Sequence, residues 1–210
     1  MSPYLKDGQK VPPSLVKDLL VHFSTQAGYT MYPDVFPFFR MLREVKNKTS
    51  RTPSNRTWKW DKTIVGIVTN SDSRVPGILE SFGLTVGPRR VGTQLQRQQD
   101  ANAADDFNFV VMSYDVGCEK PDPRIFDAAV QMGTEMFEEA EDEGDSAASF
   151  EKLFVGDALV EDYRGAVGAG WNAVLLERGD GSPPLGPTDG VQKIESLEAL
   201  KSWRPPKESQ

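Results

Sequence analysis

Two side chains common in active sites are nearly missing from these 210 residues, which hold one cysteine, Cys118, and one histidine, His22. A lone thiol excludes an internal disulfide framework and suits a reducing compartment. Cys118 has no histidine close in sequence to activate it as a nucleophile. His22 lies in an apolar-periodic stretch with no second ligand-type residue at helical spacing, which favours a structural role. Positive charge is in deficit: 24 Lys and Arg stand against 31 Asp and Glu, for a net charge of −7. Neither a nucleic acid nor an anionic membrane suits such a surface. No apolar run approaches the length of a membrane span, and Met1 to Lys10 is too polar for a signal sequence. These absences predict a soluble protein of the cytoplasm or nucleus.

What is present is enough for one domain with a core: 38% of residues are apolar, among them eleven Phe, five Tyr and four Trp. Met1 to Pro13 reads as an extended arm. Ser14 is placed to cap a helix reaching about Gln26, with Leu15, Leu19, Leu20 and Phe23 in one stripe and Gly28 as its stop. Asp34 is placed to cap a second helix, whose buried side is Phe38, Phe39, Met41, Leu42 and Val45. Three stretches, near 47–62, 88–106 and 134–150, read as insertions, the first with Trp58 and Trp60 folding back and the last strongly acidic. Strands are expected over Thr63–Val68, Phe107–Met112, Leu153–Val155 and Asn172–Leu176. The first is continuously apolar, as suits a parallel sheet covered on both faces. Helices alternate with them, one stopped by Gly83 and one opened by Asp122 and Pro123. The pattern predicts a doubly wound α/β sheet.

Polar residues of complementary chemistry gather at three strand ends. Thr69 offers a hydroxyl, beside the amides of Asn70 and Ser71, and Lys120 offers a fixed positive charge. Asp157 and Asp162, five positions apart after the strand at Leu153, could both reach one hard cation such as Mg²⁺, or could simply cap and solvate a helix start. Hydroxyl, ammonium and cation together suit a phosphate.

On these residues the chain resembles the haloacid dehalogenase-like (HAD) hydrolase superfamily. Ile64–Asn70 is similar to its second motif, Cys118–Phe126 to its third and Val155–Asp162, a Gly-Asp followed by an Asp five places on, to its fourth. Tyr29–Leu42 resembles the segment that returns from the family's cap domain to its core. The resemblance implies a Mg²⁺-dependent phosphatase of phosphate monoesters. Thr69, Asn70 and Lys120 would be on the phosphate, Lys120 a catalytic residue, Asp157 and Asp162 on the metal, and a phosphorylated small molecule the substrate. In such a family an aspartate attacks phosphorus and water then releases phosphate.

The family's first motif, a buried strand ending Asp-x-Asp that supplies the nucleophile, has no counterpart upstream of Tyr29. Asp115 follows an apolar strand, but its surroundings match the lead into the lysine motif. The chain is therefore expected to lack turnover as written, to bind Mg²⁺ weakly, and to leave two inner strand edges unless something fills the place. Each unmet buried backbone group costs about 1–3 kcal/mol, against a whole-domain stability of about 5–15 kcal/mol. The expected organisation is a cap-remnant helix within 1–28, a core over 29–204 and a tail at 205–210. A catalytically dead HAD fold that binds a protein partner is the alternative. A receiver-like or flavodoxin-like domain fits the sheet but not the Lys120–Pro121 segment.

Overall fold

A computed structural model describes residues 10–47, 58–60, 62–92, 105–139, 150–179 and 186–206. Its strands fall into two parallel groups of three. In the first, β1 (Gly66–Thr69) and β2 (Val86–Arg90) flank β3 (Phe107–Met112), in the order β1-β3-β2. In the second, β4 (Leu153–Gly156), β5 (Asn172–Leu176) and β6 (Lys193–Ile194) lie in that order. The register runs from Gly66 opposite Phe109 to Thr69 opposite Met112 in one group, and from Leu153 opposite Asn172 to Gly156 opposite Leu175 in the other. β1 and β4 are not hydrogen-bonded neighbours, so among the described residues each half-sheet ends in an unpaired edge, where the sequence predicted two open inner edges.

The six α-helices described are α1 (Pro13–His22), α2 (Val35–Asn47), α3 (Arg74–Ser81), α4 (Ser113–Val116), α5 (Pro123–Glu139) and α6 (Gly165–Gly168). Two apolar clusters hold the half-sheets side by side. On one face Phe109 and Val111 of β3, Phe154 of β4 and Ala173 of β5 pack with Ile125, Phe126 and Ala129 of α5, and Val68 joins them. On the other, Phe38, Phe39 and Leu42 of α2 pack with Trp58, Val174, Leu200 and Trp203, and Val65, Leu153 and Val155 join them. Val110 and Val174, at the centres of their groups, are almost fully buried, as strands covered on both faces must be. None of the helices is long and apolar enough to cross a membrane, among the described residues.

Several expectations need correction. Ser14 does not cap α1, which starts at Pro13 and ends at His22, and no residue of that helix is buried. Gly28 closes a separate 3₁₀ turn, Gln26–Gly28, capped by Thr25. Pro88 to Arg90, read as the start of an insertion, form the end of strand β2, a place at a sheet edge where proline is tolerated. Thr134 to Glu139, read as acidic loop, continue α5. After β4 the chain makes a π-helical turn, Leu159–Arg164, before the short α6, so the long helix expected there is divided. The other parts of the three expected insertions, and both tails, largely lie outside the described residues. Trp58 does fold back: it is buried, and its indole nitrogen donates to the Thr63 hydroxyl at 2.8 Å.

Candidate active site at the carboxyl ends of β1 and β4

Parallel α/β sheets bind ligands at the carboxyl ends of their strands, where helix starts and turns present free amides and polar side chains. Here that end is organised by Lys120. Its backbone N–H donates to Asn70 Oδ1 at 2.7 Å, and Asn70 Nδ2 donates to the Lys120 carbonyl at 3.1 Å. This two-bond clamp ties the turn after β1 to the loop before α5, where the Lys120–Pro121 peptide is cis. The side chain then reaches inward and is only 12% exposed. Its Nζ donates to the Val68 carbonyl at 3.0 Å and to Asp162 Oδ1 at 2.6 Å. One ammonium thus touches both half-sheets, and the contact places the carboxyl ends of β1 and β4 on the same side.

Asp162 sits in the π-helical turn and is 5% exposed. Its second oxygen, Oδ2, accepts the Ala158 amide at 2.9 Å, which fastens the turn back onto its own start. Gly156 makes this possible: a Cβ there would collide with the Asp162 carboxylate. Gly165 serves a similar purpose, since a Cβ there would lie 3.0 Å from Pro121 and 3.1 Å from the Phe126 ring. The glycines let the turn after β4 close onto the loop that carries Lys120.

The structure therefore brings Lys120, Asn70 and Asp162 together, with Thr69 at the end of β1 and Asp157 at the end of β4. Asp157 is exposed at the turn. Neither the Thr69 hydroxyl nor the Asp157 carboxylate makes a hydrogen bond among the described residues. The two aspartates are not equivalent, although the sequence treats them alike. Each oxygen of Asp162 already accepts one hydrogen bond, one from an ammonium and one from an amide, so as arranged it orients Lys120 and keeps a lone pair on each oxygen. The Asp157 carboxylate is free of such partners among the described residues, and a small hard cation is commonly held by one or two carboxylates, with waters and phosphate oxygens completing its shell. No group of three metal-ligating side chains occurs among the described residues.

Two other carboxylates near this end are engaged by arginines of their own loops. Asp72 and Asp122 fold back on Arg74 and Arg124, two residues along, at 2.9 and 2.7 Å. Hydrogen bonds from Arg124 hold the Asp122 carboxyl down to about 2, and Arg74 lowers Asp72 in the same way. Asp115 is exposed on α4. His22 lies on α1, and Cys118 is half-buried beside the apolar cluster under α5. Sequence reasoning missed the Asn70 clamp and the Asp162–Lys120 pair. Nothing in the spacing of an Asp, a Lys and an Asn distinguishes three phosphate or metal ligands from three residues that hold one another.

A HAD-hydrolase-like family model matches residues 117–198, which runs from the lysine loop to the turn after β6. The chain is 29% identical to an uncharacterised hydrolase of Schizosaccharomyces pombe, over 78% of this chain and 54% of that one. It is 30% identical to the glyceraldehyde 3-phosphate phosphatase of Methanopyrus kandleri, over 82% and 55%. It superposes on a magnesium-bound HAD-hydrolase of Bacillus subtilis with a TM-score of 0.52 at 17% identity, covering 93% of this chain and 64% of that one. The chain spans about half the length of the curated relatives it matches. The three motifs, the two parallel half-sheets and these likenesses agree: the chain belongs to the haloacid dehalogenase-like hydrolase superfamily.

Proposed function

We propose that the carboxyl-end cluster is the phosphate-holding part of a phosphate-monoester phosphatase site, and that these 210 residues bind the phosphate without hydrolysing it. The observation that carries this reading is the position of Lys120. An ammonium has three N–H donors. Lys120 uses one on Val68 and one on Asp162, which fixes its direction and leaves the third for an anion. The Thr69 hydroxyl lies at the end of the strand whose carbonyl Lys120 holds, and has no competing partner among the described residues. Asp157 would hold Mg²⁺, which when bound neutralises charge on the phosphate oxygens. The phosphate ester named in the Methanopyrus relative points to the same substrate class.

Turnover needs an attacking group in line with phosphorus. Among the described residues, Asp162 is committed to Lys120, Asp72 and Asp122 to their arginines, and Asp115 is exposed on its helix. The test is calorimetric titration of the purified chain with inorganic phosphate in Mg²⁺, alongside a nitrophenyl phosphate assay. Saturable phosphate binding, weakened at least about tenfold by Lys120→Met, is expected; losing a charged hydrogen bond of about 1.5–3 kcal/mol predicts that scale. No binding at millimolar phosphate sinks the site. Turnover that disappears in Asp115→Asn sinks the claim of a silent site.

A further inference from the structure

We propose that Tyr163 and Arg164 are positioning residues for Lys120: together they hold the turn after β4 in its π register, and that register aims the Asp162 carboxylate at the ammonium. The proposal rests on the reading of Lys120 as the group that faces the phosphate. A π turn pairs each amide with the carbonyl five residues back, and such turns are rare. In this one the Ala158 carbonyl accepts the Asp162 amide at 3.0 Å and the Tyr163 amide at 3.1 Å, so the four-residue and five-residue patterns share one acceptor. At the far end the Gly165 amide meets the carbonyls of both Val160 and Asp162. The backbone bonds alone therefore do not choose strongly between the π register and an ordinary α turn.

The side chains choose instead. Three consecutive residues reach three different partners. Asp162 accepts from Lys120 at 2.6 Å, the Tyr163 hydroxyl accepts the Gln192 amide at 3.2 Å, and Arg164 donates to the Pro187 carbonyl at 2.8 Å. Gln192 is itself a fixed post. Its carbonyl accepts the Leu175 amide of β5 at 2.9 Å, and its side-chain oxygen accepts the indole N–H of the buried Trp203 at 3.1 Å. Within the same 187–192 loop the Val191 amide closes on the Thr188 carbonyl at 3.1 Å. Tyr163 also packs against the apolar cluster under α5. Successive residues of an α-helix are turned by about 100°, from 3.6 residues per turn. Slipping the turn by one residue would therefore swing Tyr163 and Arg164 off their partners and Asp162 off Lys120 together. Holding the first two holds the third. Neither Tyr163 nor Arg164 makes a hydrogen bond to Lys120 among the described residues, so their influence on it passes through Asp162.

The test uses the full chain with Tyr163→Phe, Arg164→Met and the two combined, which remove one hydroxyl and one exposed guanidinium and leave the core filled. Lys120 is read directly, by mass spectrometry after brief acetylation with an N-hydroxysuccinimide ester, against the exposed Lys17 as internal reference. A lysine released from its carboxylate opens to the reagent more often, so Lys120 should acetylate about fivefold faster or more in the double variant, with the single variants between. Calorimetric titration with inorganic phosphate in Mg²⁺ should show affinity lowered several-fold in the double variant. Arg164→Lys, which can still donate to Pro187, should recover most of the loss caused by Arg164→Met. Unchanged acetylation of Lys120 in the double variant, or unchanged phosphate affinity, overturns the proposal even if the melting temperature falls, since both residues would then only brace the fold. If the wild-type chain binds no phosphate, the phosphate site fails by itself. Faster acetylation of Lys120 in the double variant would still show that Tyr163 and Arg164 set its direction.

Discussion

Asp106 and Asp162 are both buried aspartates that grip a cation, but they sit at opposite ends of the strands. Asp106 stands just before β3, and its two oxygens take Arg43 from α2 and both the amide and hydroxyl of Thr85 from the start of β2. Its partners are Arg43 of α2, a helix packed on both half-sheets, and Thr85 beside β2, and the cluster closes on itself. Asp162 stands after β4, and its cation also holds the carbonyl of Val68 in the other half-sheet. That pair joins the two half-sheets, and the ammonium, with the Phe154 ring 5.2 Å away, has a third donor that makes no hydrogen bond among the described residues. The cluster before β3 is therefore internally satisfied, while the one between the ends of β1 and β4 is satisfied only up to the point where a ligand would begin. Unequal saturation separates a structural ion pair from a candidate site more clearly than burial does, since both aspartates are buried.

The comparison predicts its largest effect at the amino end. Replacing Asp106 with alanine strands the Arg43 guanidinium and the Thr85 amide together, and removing one partner from a buried pair costs about 3–5 kcal/mol. Arg43 is 40% exposed and can recover some solvation, so the lower end, about 3 kcal/mol, is expected by denaturant unfolding. Phosphate affinity should not move in the folded fraction. A variant with wild-type stability would show that the Asp106 cluster is not what holds α2 on the first half-sheet.

Acid should act next, on Asp106 and on Asp34, whose partners Arg178, Ser196 and Leu197 follow β5 and β6. Burial by itself would raise the Asp106 pKa, but hydrogen bonds from Arg43 and Thr85, with the Arg43 charge, outweigh it and leave the carboxyl below its ordinary value. Asp34 behaves likewise: burial opposes, and Arg178, Leu197 and Ser196 together lower it. A carboxyl whose folded pKa is depressed contributes stability above its unfolded value, near pH 4, and loses it as pH falls through the folded value. Between pH 7 and 5 these two groups should leave the unfolding midpoint unchanged, with the loss confined to below about pH 4. In Asp106→Asn the acid loss should shrink. A decline already complete at pH 5 would assign acid sensitivity to other groups.

How much of this was legible beforehand differs by element. β5 was expected at Asn172–Leu176 and lies there, because its apolar run is short, bounded and buried on both faces. β2 was hidden because Val86–Arg90 mixes proline with arginines, yet Gly87 and Arg89 turn inward and are buried. Apolar periodicity also marked α1 and α2 alike. α2 buries Phe38, Phe39 and Leu42, whereas Leu15, Leu19, Leu20 and Phe23 of the α1 region stay exposed. Periodicity states which side is apolar and cannot say whether anything covers it. The same limit applied at Asp34. It does stand at the start of α2, but its carboxylate serves Arg178, Ser196 and Leu197, which lie more than 140 residues away in the chain. Partners at such separations are set by tertiary packing and leave no local trace.

Asp162→Asn addresses the carboxyl end directly. The amide can still accept from Ala158, so the turn should survive, but Lys120 loses its charged partner. A stability loss of about 1–2 kcal/mol is expected, below that of Asp106→Ala, because the group is replaced and not deleted. Phosphate affinity should change several-fold as Lys120 gains freedom, which a purely structural aspartate would not produce. If stability falls while phosphate binding is untouched, Asp162 belongs in the same class as Asp106 and the contrast between the two ends fails.

The smallest structural effect is expected at Asp157, which shares the carboxyl end but not the burial. An exposed aspartate with no partner among the described residues should be replaceable by asparagine within about 0.5 kcal/mol of wild-type stability. Its effect should appear instead when phosphate titrations are run with and without Mg²⁺. In the wild type the cation should strengthen phosphate binding, because it neutralises the anion beside Lys120, and in Asp157→Asn that gain should largely vanish. If the gain persists in Asp157→Asn but disappears in Asp162→Asn, the metal is held by the aspartate that here faces Lys120. The ammonium would then have to swing off Asp162 when the cation arrives, and the carboxyl end would be a rearranging site and not a preformed one.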